Sequence, residues 1–77
     1  SLYLVNPNIT QSMLPQLIDI QHVAGLTYEE KEMTDCSTLT NLTHLEILNL
    51  SNNDLVSIEA LESLKNLTEL DLSFNSI

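Results

Sequence analysis

The sequence predicts an α/β fold: a right-handed solenoid with a short parallel β-sheet on its concave side and 3₁₀ or irregular structure on its convex side. Two observations lead to this prediction. When the 77-residue chain is compared with itself at an offset of 22, residues 45–55 match residues 67–77 at the four positions of the leucine frame and at the asparagine. Between the matching segments, the leucines recur at a spacing that excludes an amphipathic α-helix.

The leucine spacing indicates the secondary structure of one repeat. Leu61, Leu64 and Leu67 follow each other in steps of three, whereas Leu70 and Leu72 are two residues apart. Because an α-helix turns by about 100° per residue, leucines in steps of three would spread around its circumference. The step of two places Leu70 and Leu72 on one face of a short strand. Steps of three fit a 3₁₀-like or extended return path to the next strand.

Residues 45–55 and 67–77 both follow the pattern LxxLxLxxNxL. This pattern resembles the leucine-rich repeat family, in particular its class with a repeat length of 22, the offset found here. That class includes bacterial internalins and the regulatory subunit of protein phosphatase one. The resemblance implies that Asn53 and Asn75 form a structural ladder, each bonded to backbone groups at the bend after a strand. It also implies that the chain binds proteins and is not an enzyme.

We interpret residues 1–77 as a single domain of this kind or a fragment of one. In the second repeat, Tyr28 replaces a leucine and Lys31 replaces the asparagine. An ammonium group donates hydrogen bonds but accepts none, so we expect a different bend that reaches solvent at Lys31. The repeat frame divides the chain into a degenerate repeat or N-terminal cap at 1–22, a degenerate repeat at 23–44, a regular repeat at 45–66 and a truncated repeat at 67–77.

The first 22 residues allow two interpretations. In a degenerate repeat, Leu2, Leu4 and Ile9 have the spacing of a strand pair and the residue after its bend, with Pro7 at the asparagine position. The alternative is a dedicated N-terminal cap with an irregular helix that starts after Pro15. The residues that such a cap would turn toward the core are Leu14, Leu17, Ile18 and, as a further candidate, Val23.

The same frame predicts the core and its open end. Ile77 falls at the inward position after the last bend, and the return segment that would cover it is missing. We therefore expect a fragment whose open C-terminal end, including Leu67, Leu70 and Leu72, is covered by further repeats or another chain. The predicted core consists of Leu26, Leu39, Leu42, Leu45, Leu48, Leu50, Leu55, Ile58, Leu61, Leu64, Leu67, Leu70 and Leu72.

Strand residues that alternate with the inward leucines should point outward on the concave side. Solenoids commonly use this side for binding. Ile47 and Tyr3 would supply apolar and aromatic contacts, while Glu69 and Asp71 would supply acidic ones. The predicted partner-binding residues are Tyr3, Thr27, Glu29, Ile47, Asn49, Ser51, Glu69, Asp71 and Ser73.

The charge balance limits the class of partner. The chain has two lysines, no arginine and a formal net charge of -9. Nucleic acids and anionic membranes are disfavoured, because both require clustered cationic side chains. No apolar stretch approaches the roughly 20 residues needed to cross a bilayer. We therefore expect a protein partner with a basic surface, and neither nucleic acid nor membrane.

Few residues could carry chemistry. His22 and His44 lie one repeat apart, but no third ligand shares their position, so we expect no metal site. Cys36 aligns with Ile58 and is expected to be a small buried apolar residue. The sequence therefore predicts no catalytic residue and no cofactor.

Two functions remain open from the sequence. The first is a non-catalytic protein-interaction module that holds a partner on its concave face. The second is a structural spacer or targeting arm of a larger enzyme or cytoskeletal protein. The fold alone does not choose between them. We expect an intracellular protein, with the bacterial cell surface as the alternative.

Overall fold

The computed structural model describes residues 1–17 and 20–77. Over these residues the chain alternates short strands with 3₁₀ helices. None of these helices is long and apolar enough to cross a membrane. The strands are β1 (Leu2–Val5), β2 (Val23–Thr27), β3 (Ile47–Asn49) and β4 (Glu69–Asp71), and the 3₁₀ helices are Gln11–Gln16, Ile20–His22, Ser37–Leu39 and Glu59–Ser63.

The four strands form one sheet in the order β1-β2-β3-β4, and every neighbouring pair is parallel. The register follows the sequence repeat, since Leu26 is opposite Leu48 and Leu48 is opposite Leu70. Between β1 and β2 the register shifts at Leu2 and Tyr3. The predicted architecture of short parallel strands joined by 3₁₀ turns is therefore confirmed.

The 3₁₀ geometry explains why leucines recur in steps of three. The backbone N–H of Leu42 donates to the carbonyl of Leu39 at 2.9 Å, and that of Leu45 donates to Leu42 at 3.1 Å. Leu64 donates to Leu61 in the same way at 3.0 Å. In a 3₁₀ helix, side chains three residues apart lie on the same side. Successive leucines of the return path therefore all enter the core.

The core lies between the sheet and the return path. Most of the predicted core residues are buried, including Leu48 and Leu50, whereas Ile58 is partly buried and packs against them. Leu70 is an exception, because 46% of its side chain is exposed. It lies on β4, an edge strand of the sheet, and among the described residues no further strand covers it. Among the residues whose burial the structure describes, the buried apolar ones are Leu14, Val23, Ala24, Leu26, Tyr28, Met33, Cys36, Leu39, Leu42, Leu45, Leu48, Leu50, Leu55, Leu61 and Leu64.

The N-terminal region combines a strand with an apolar helix. β1 pairs with β2, and the helix Gln11–Gln16 buries Leu14 completely. Pro15 lies inside this helix, so the expected start after Pro15 is wrong. A 3₁₀ segment this short tolerates proline because only one N–H donor is lost. The sequence-based assignment of Ile18 to the core lies outside the described residues.

The bends after the strands use left-handed backbone conformations. Glu30, Asn52 and Phe74 have φ values of 55°, 58° and 59°, and they are spaced by one repeat length. The bend around Lys31 has a second such residue, Glu32, with φ of 57°. Residues other than glycine adopt this region infrequently. The bend without an asparagine is therefore locally different from the two bends that follow it.

Asn53 links the bends of two neighbouring repeats and is only 7% exposed. Its Nδ2 donates to the carbonyl oxygens of Tyr28 and Leu50 at 2.9 and 3.0 Å. Its Oδ1 accepts the backbone N–H groups of Lys31 and Met33 at 3.0 and 3.1 Å. One side chain thus satisfies four backbone groups that the turning chain leaves in the interior.

Asn75 repeats this arrangement in part. Its Nδ2 donates to the carbonyl oxygens of Leu50 and Leu72 at 2.9 and 3.0 Å, and its Oδ1 accepts the N–H of Leu55 at 2.9 Å. The side chain is only partly buried. Water can therefore replace some of its bonds, which is not the case for Asn53.

Asn53 bonds the Lys31 bend from the following repeat, and two other side chains connect this bend to the first repeat. The Tyr28 hydroxyl donates to the carbonyl of Ile9 at 2.8 Å, and the Gln11 side-chain amide donates to the carbonyl of Lys31 at 3.2 Å. Burial raises the pKa of Tyr28, so its hydroxyl remains a proton donor well into the alkaline range. The larger Tyr28 side chain fills the leucine position and bonds to the first repeat at the same time.

Asn53→Ala should destabilise the fold by about 1–3 kcal/mol, because it leaves buried backbone donors and acceptors unsatisfied. Asn75→Ala should have a smaller effect, since water reaches that bend. Urea unfolding followed by circular dichroism measures both free energies. Equal and negligible losses at the two positions would contradict the proposed role of the asparagine ladder.

Candidate partner-binding surface

The strand residues on the side opposite the core form one surface, which we call the sheet face. The strand register arranges it in two rows that cross all four described strands. The first row is Tyr3, Gly25, Ile47 and Glu69, and the second row is Val5, Thr27, Asn49 and Asp71.

Exposure of the sheet face varies along the rows. At the β1 end, Tyr3 is 58% exposed and Val5 is 71% exposed. Ile47 is half-buried in the middle, whereas Glu69 and Asp71 are exposed at the β4 end. The face therefore presents apolar groups, neutral polar groups and carboxylates within one continuous surface.

A shallow depression of about 310 Å³ lies on the β4 half of the sheet face. It is bordered by residues of β3 and β4, and the exposed residues Glu69 and Asp71 are part of its lining. A volume at the lower end of small-ligand pockets suits a side chain of a partner. The depression is lined by Thr27, Ile47, Leu48, Asn49, Glu69, Leu70 and Asp71.

Gly25 provides the space for the ring of Tyr3. The two residues are neighbours across β1 and β2, and a Cβ atom placed on Gly25 would clash with Cδ2 of Tyr3. The aromatic ring therefore lies over the backbone of β2. It covers Gly25, which is buried although it belongs to the outward row. An aromatic side chain over a strand glycine is a recognised way to stabilise such a position.

Ser51 does not contribute to the open surface, contrary to the expectation from alternation. It is only 4% exposed. Its hydroxyl donates to Oε2 of Glu29 at 3.0 Å, and its backbone N–H donates to Oδ1 of Asn49 at 2.9 Å. Glu29 is itself half-buried, and its N–H donates to Oδ1 of Asn6 at 2.8 Å. These polar groups bond to each other at the bends, so Ser51 is structural.

Ser73 fixes the orientation of Asp71. Its backbone N–H and its hydroxyl both donate to Oδ1 of Asp71, at 3.0 and 2.6 Å. These two bonds lower the pKa of Asp71, the hydroxyl bond contributing most. Asp71 is therefore ionised at neutral pH, and its second carboxylate oxygen remains available to a partner.

The lysines of the chain lie outside the two rows. Lys31 follows β2 in the bend, where its Nζ lies 5.3 Å from the centroid of the Tyr28 ring. Lys65 is exposed on the return path after the helix Glu59–Ser63. The charged residues within the rows, Glu69 and Asp71, are both acidic.

The family model for the leucine rich repeat matches residues 26–77, which is more than half of the chain. This chain belongs to the leucine-rich repeat family. No curated protein matches it significantly. Leucine-rich repeat domains generally mediate protein–protein interactions and are typically not catalytic. The likeness to internalins and to the phosphatase regulatory subunit remains a prediction from the repeat length.

In this leucine-rich repeat chain, the candidate reactive groups are the thiol of Cys36 and the imidazoles of His22 and His44. Cys36 is buried, and desolvation together with the nearby Asp35 carboxylate raises the pKa of its thiol to about 11. The thiol is therefore protonated at neutral pH and is a poor nucleophile. His22 and His44 are exposed. Among residues 1–17 and 20–77, no group of three or more His, Cys, Asp or Glu side chains could hold a metal ion.

Two features of the sheet face were not found from the leucine-rich repeat pattern. The Tyr3 and Gly25 contact was missed, although the offset of 22 places the two residues side by side. The bond between Ser51 and Glu29 was missed because both were assigned by alternation alone. The contact of Tyr3 with Gly25 could have been identified from the sequence, because the repeat offset places a glycine beside an aromatic residue.

The thiol of Cys36 predicts a pH dependence of stability. Its folded pKa is raised from 9.0 to about 11, so the folded state keeps a proton that the unfolded state loses. This stabilisation is complete below pH 9 and is lost as the pH rises toward 11. Urea midpoints of the wild type should therefore fall more steeply over this interval than those of Cys36→Val. Tyr28 titrates in both proteins, so parallel profiles would contradict the assignment.

Proposed function

We propose that this leucine-rich repeat chain is a non-catalytic interaction module whose sheet face, on the concave side of the solenoid, binds a basic segment of a partner protein. The observation that carries the proposal is the depression that is lined by Ile47, Glu69 and Asp71. It combines an apolar contact with two negative charges at one accessible place.

The electrostatics of the face favour a cationic ligand. Glu69 and Asp71 occupy alternate positions of one strand, so their carboxylates lie roughly 7 Å apart on the same side. The formal net charge of -9 adds a long-range attraction for basic partners. The same charge opposes nucleic acid and anionic membranes as partners.

Charge alone does not supply the affinity. An exposed ion pair contributes about 0.2–1 kcal/mol, because water screens it and two side chains lose freedom. Burying an apolar side chain against Ile47 contributes more, at roughly 25 cal/mol per Å² removed from water. The proposed partner therefore inserts an apolar group and uses its cations for orientation and for the rate of association.

The test compares two charge reversals of equal size. Glu69→Lys/Asp71→Lys changes the sheet face, whereas Glu59→Lys/Glu62→Lys changes exposed positions on the return path by the same net charge. Proteins captured from native extract by the wild-type chain should be lost with the first pair and kept with the second. Calorimetry with the purified captured protein then gives the change in Kd.

The expected loss for the sheet-face pair is on the order of tenfold in affinity at low salt, and it should shrink as salt rises. Equal losses for both pairs would indicate attraction by net charge without a defined site. Unchanged binding by both charge-reversed variants would contradict the proposal and favour the alternative function as a structural spacer. Circular dichroism of each variant verifies that the fold is retained.

A further inference from the structure

Both rows of the sheet face change from apolar to acidic in the same direction. The first row begins with Tyr3 on β1 and ends with Glu69 on β4. The second row begins with Val5 and ends with Asp71. Tyr3 and Val5 are well exposed, and so are both carboxylates. A ligand that crosses the strands would therefore meet an apolar end and an acidic end whichever row it followed.

The distance between the two ends defines a spacing in the ligand. β1 and β4 are separated by three strand intervals, each about 4.8 Å, which gives roughly 14 Å. An extended peptide advances about 3.4 Å per residue, so four residues span this distance. Its side chains alternate between two sides, so residues i and i+4 both point toward the sheet.

The middle of the rows leaves room for a backbone to pass. The ring of Tyr3 covers Gly25, whereas Ile47 and Thr27 are partly exposed and line the depression. The side chain at i+2 of such a peptide would lie beside Ile47 and Thr27, which line the depression. A small or medium apolar group fits there, because the depression has a volume of about 310 Å³.

We propose that the sheet face recognises an extended peptide segment that crosses the strands and carries a lysine or arginine four residues from an aromatic or large aliphatic residue. The inference rests on the proposed function and names the partner class for the same face. The cation pairs with Glu69 or Asp71, and the apolar residue packs on Tyr3 or Val5. Charge complementarity at one end and apolar contact at the other fix the orientation of the peptide.

Gly25 is a specificity-determining position in this arrangement. The ring of Tyr3 lies over it, and a Cβ there would displace the ring. Gly25→Ala should therefore weaken recognition of the apolar residue without changing any charge. Tyr3→Ser removes the same contact directly. If Gly25→Ala fails to fold, Tyr3→Ser still tests whether this contact contributes to binding.

The probes are synthetic peptides of Ser, Thr and Gly that contain one arginine and one tryptophan. Spacings of four residues, two fewer and two more keep both side chains on one side and change their separation by about 7 Å. Titration of the isotope-labelled 77-residue chain, followed by amide chemical shifts, gives each Kd. The four-residue spacing should bind most tightly, by about fivefold over either alternative.

Variants connect each peptide residue to its contact. Glu69→Gln/Asp71→Asn should weaken the four-residue peptide about two- to fivefold and have no effect on a peptide with glutamine in place of arginine. Tyr3→Ser should weaken it on the order of fivefold and have no effect on a peptide with serine in place of tryptophan. The matched controls Glu59→Gln/Glu62→Gln and Val56→Ser alter exposed residues outside both rows.

Binding that is independent of spacing, or no binding by any peptide, would overturn the inference. Neither result would affect the proposed function, which depends on the loss of a captured protein when Glu69 and Asp71 are reversed in charge. If the charge reversal abolishes capture of that protein but no peptide binds with the expected spacing dependence, the sheet face binds a folded basic surface. If the charge reversal does not release the captured protein and no peptide binds, both proposals are wrong.

Discussion

The structure depends on satisfying the backbone groups that the chain leaves in the interior each time it turns away from the sheet. Leucine burial drives compaction but has no direction, so it does not by itself fix the bend. Asn53 does so, because its amide bonds to carbonyls of two repeats and its oxygen accepts two N–H groups of the preceding bend. The side chain therefore sets both the turn and the register between β2 and β3.

The second repeat shows what happens when this residue is absent. Lys31 does not accept hydrogen bonds through its side chain, and its bend contains two left-handed residues, Glu30 and Glu32. Tyr28 compensates by filling the leucine position and donating its hydroxyl to Ile9. The Tyr28 hydroxyl and the Gln11 amide thus connect the first two repeats, whereas Asn53 and Asn75 connect the later ones, and the four strands still form one parallel sheet.

The repeat predicted the strands, the 3₁₀ return path and most buried leucines, because periodicity determines which residues share an environment. The same frame placed Leu70 at the open C-terminal end, and 46% of its side chain is exposed there. It also placed Ser51 on the open surface, although a hydrogen bond to Glu29 buries it. Alternation identified the rows of the sheet face, but the contact of Tyr3 with Gly25 depends on side-chain size. Partner binding by these rows remains a proposal.

The proposed binding surface depends on the bends, because they hold neighbouring strands in the register that forms the rows. Amide hydrogen exchange of Lys31 and Met33 tests this dependence most directly. In the wild type both N–H groups should be protected by Oδ1 of Asn53, and Asn53→Ala should remove that protection selectively, with the N–H of Leu42 on the return path as the internal reference. Rapid exchange of both amides in the wild type, or unchanged protection in Asn53→Ala, would contradict the account.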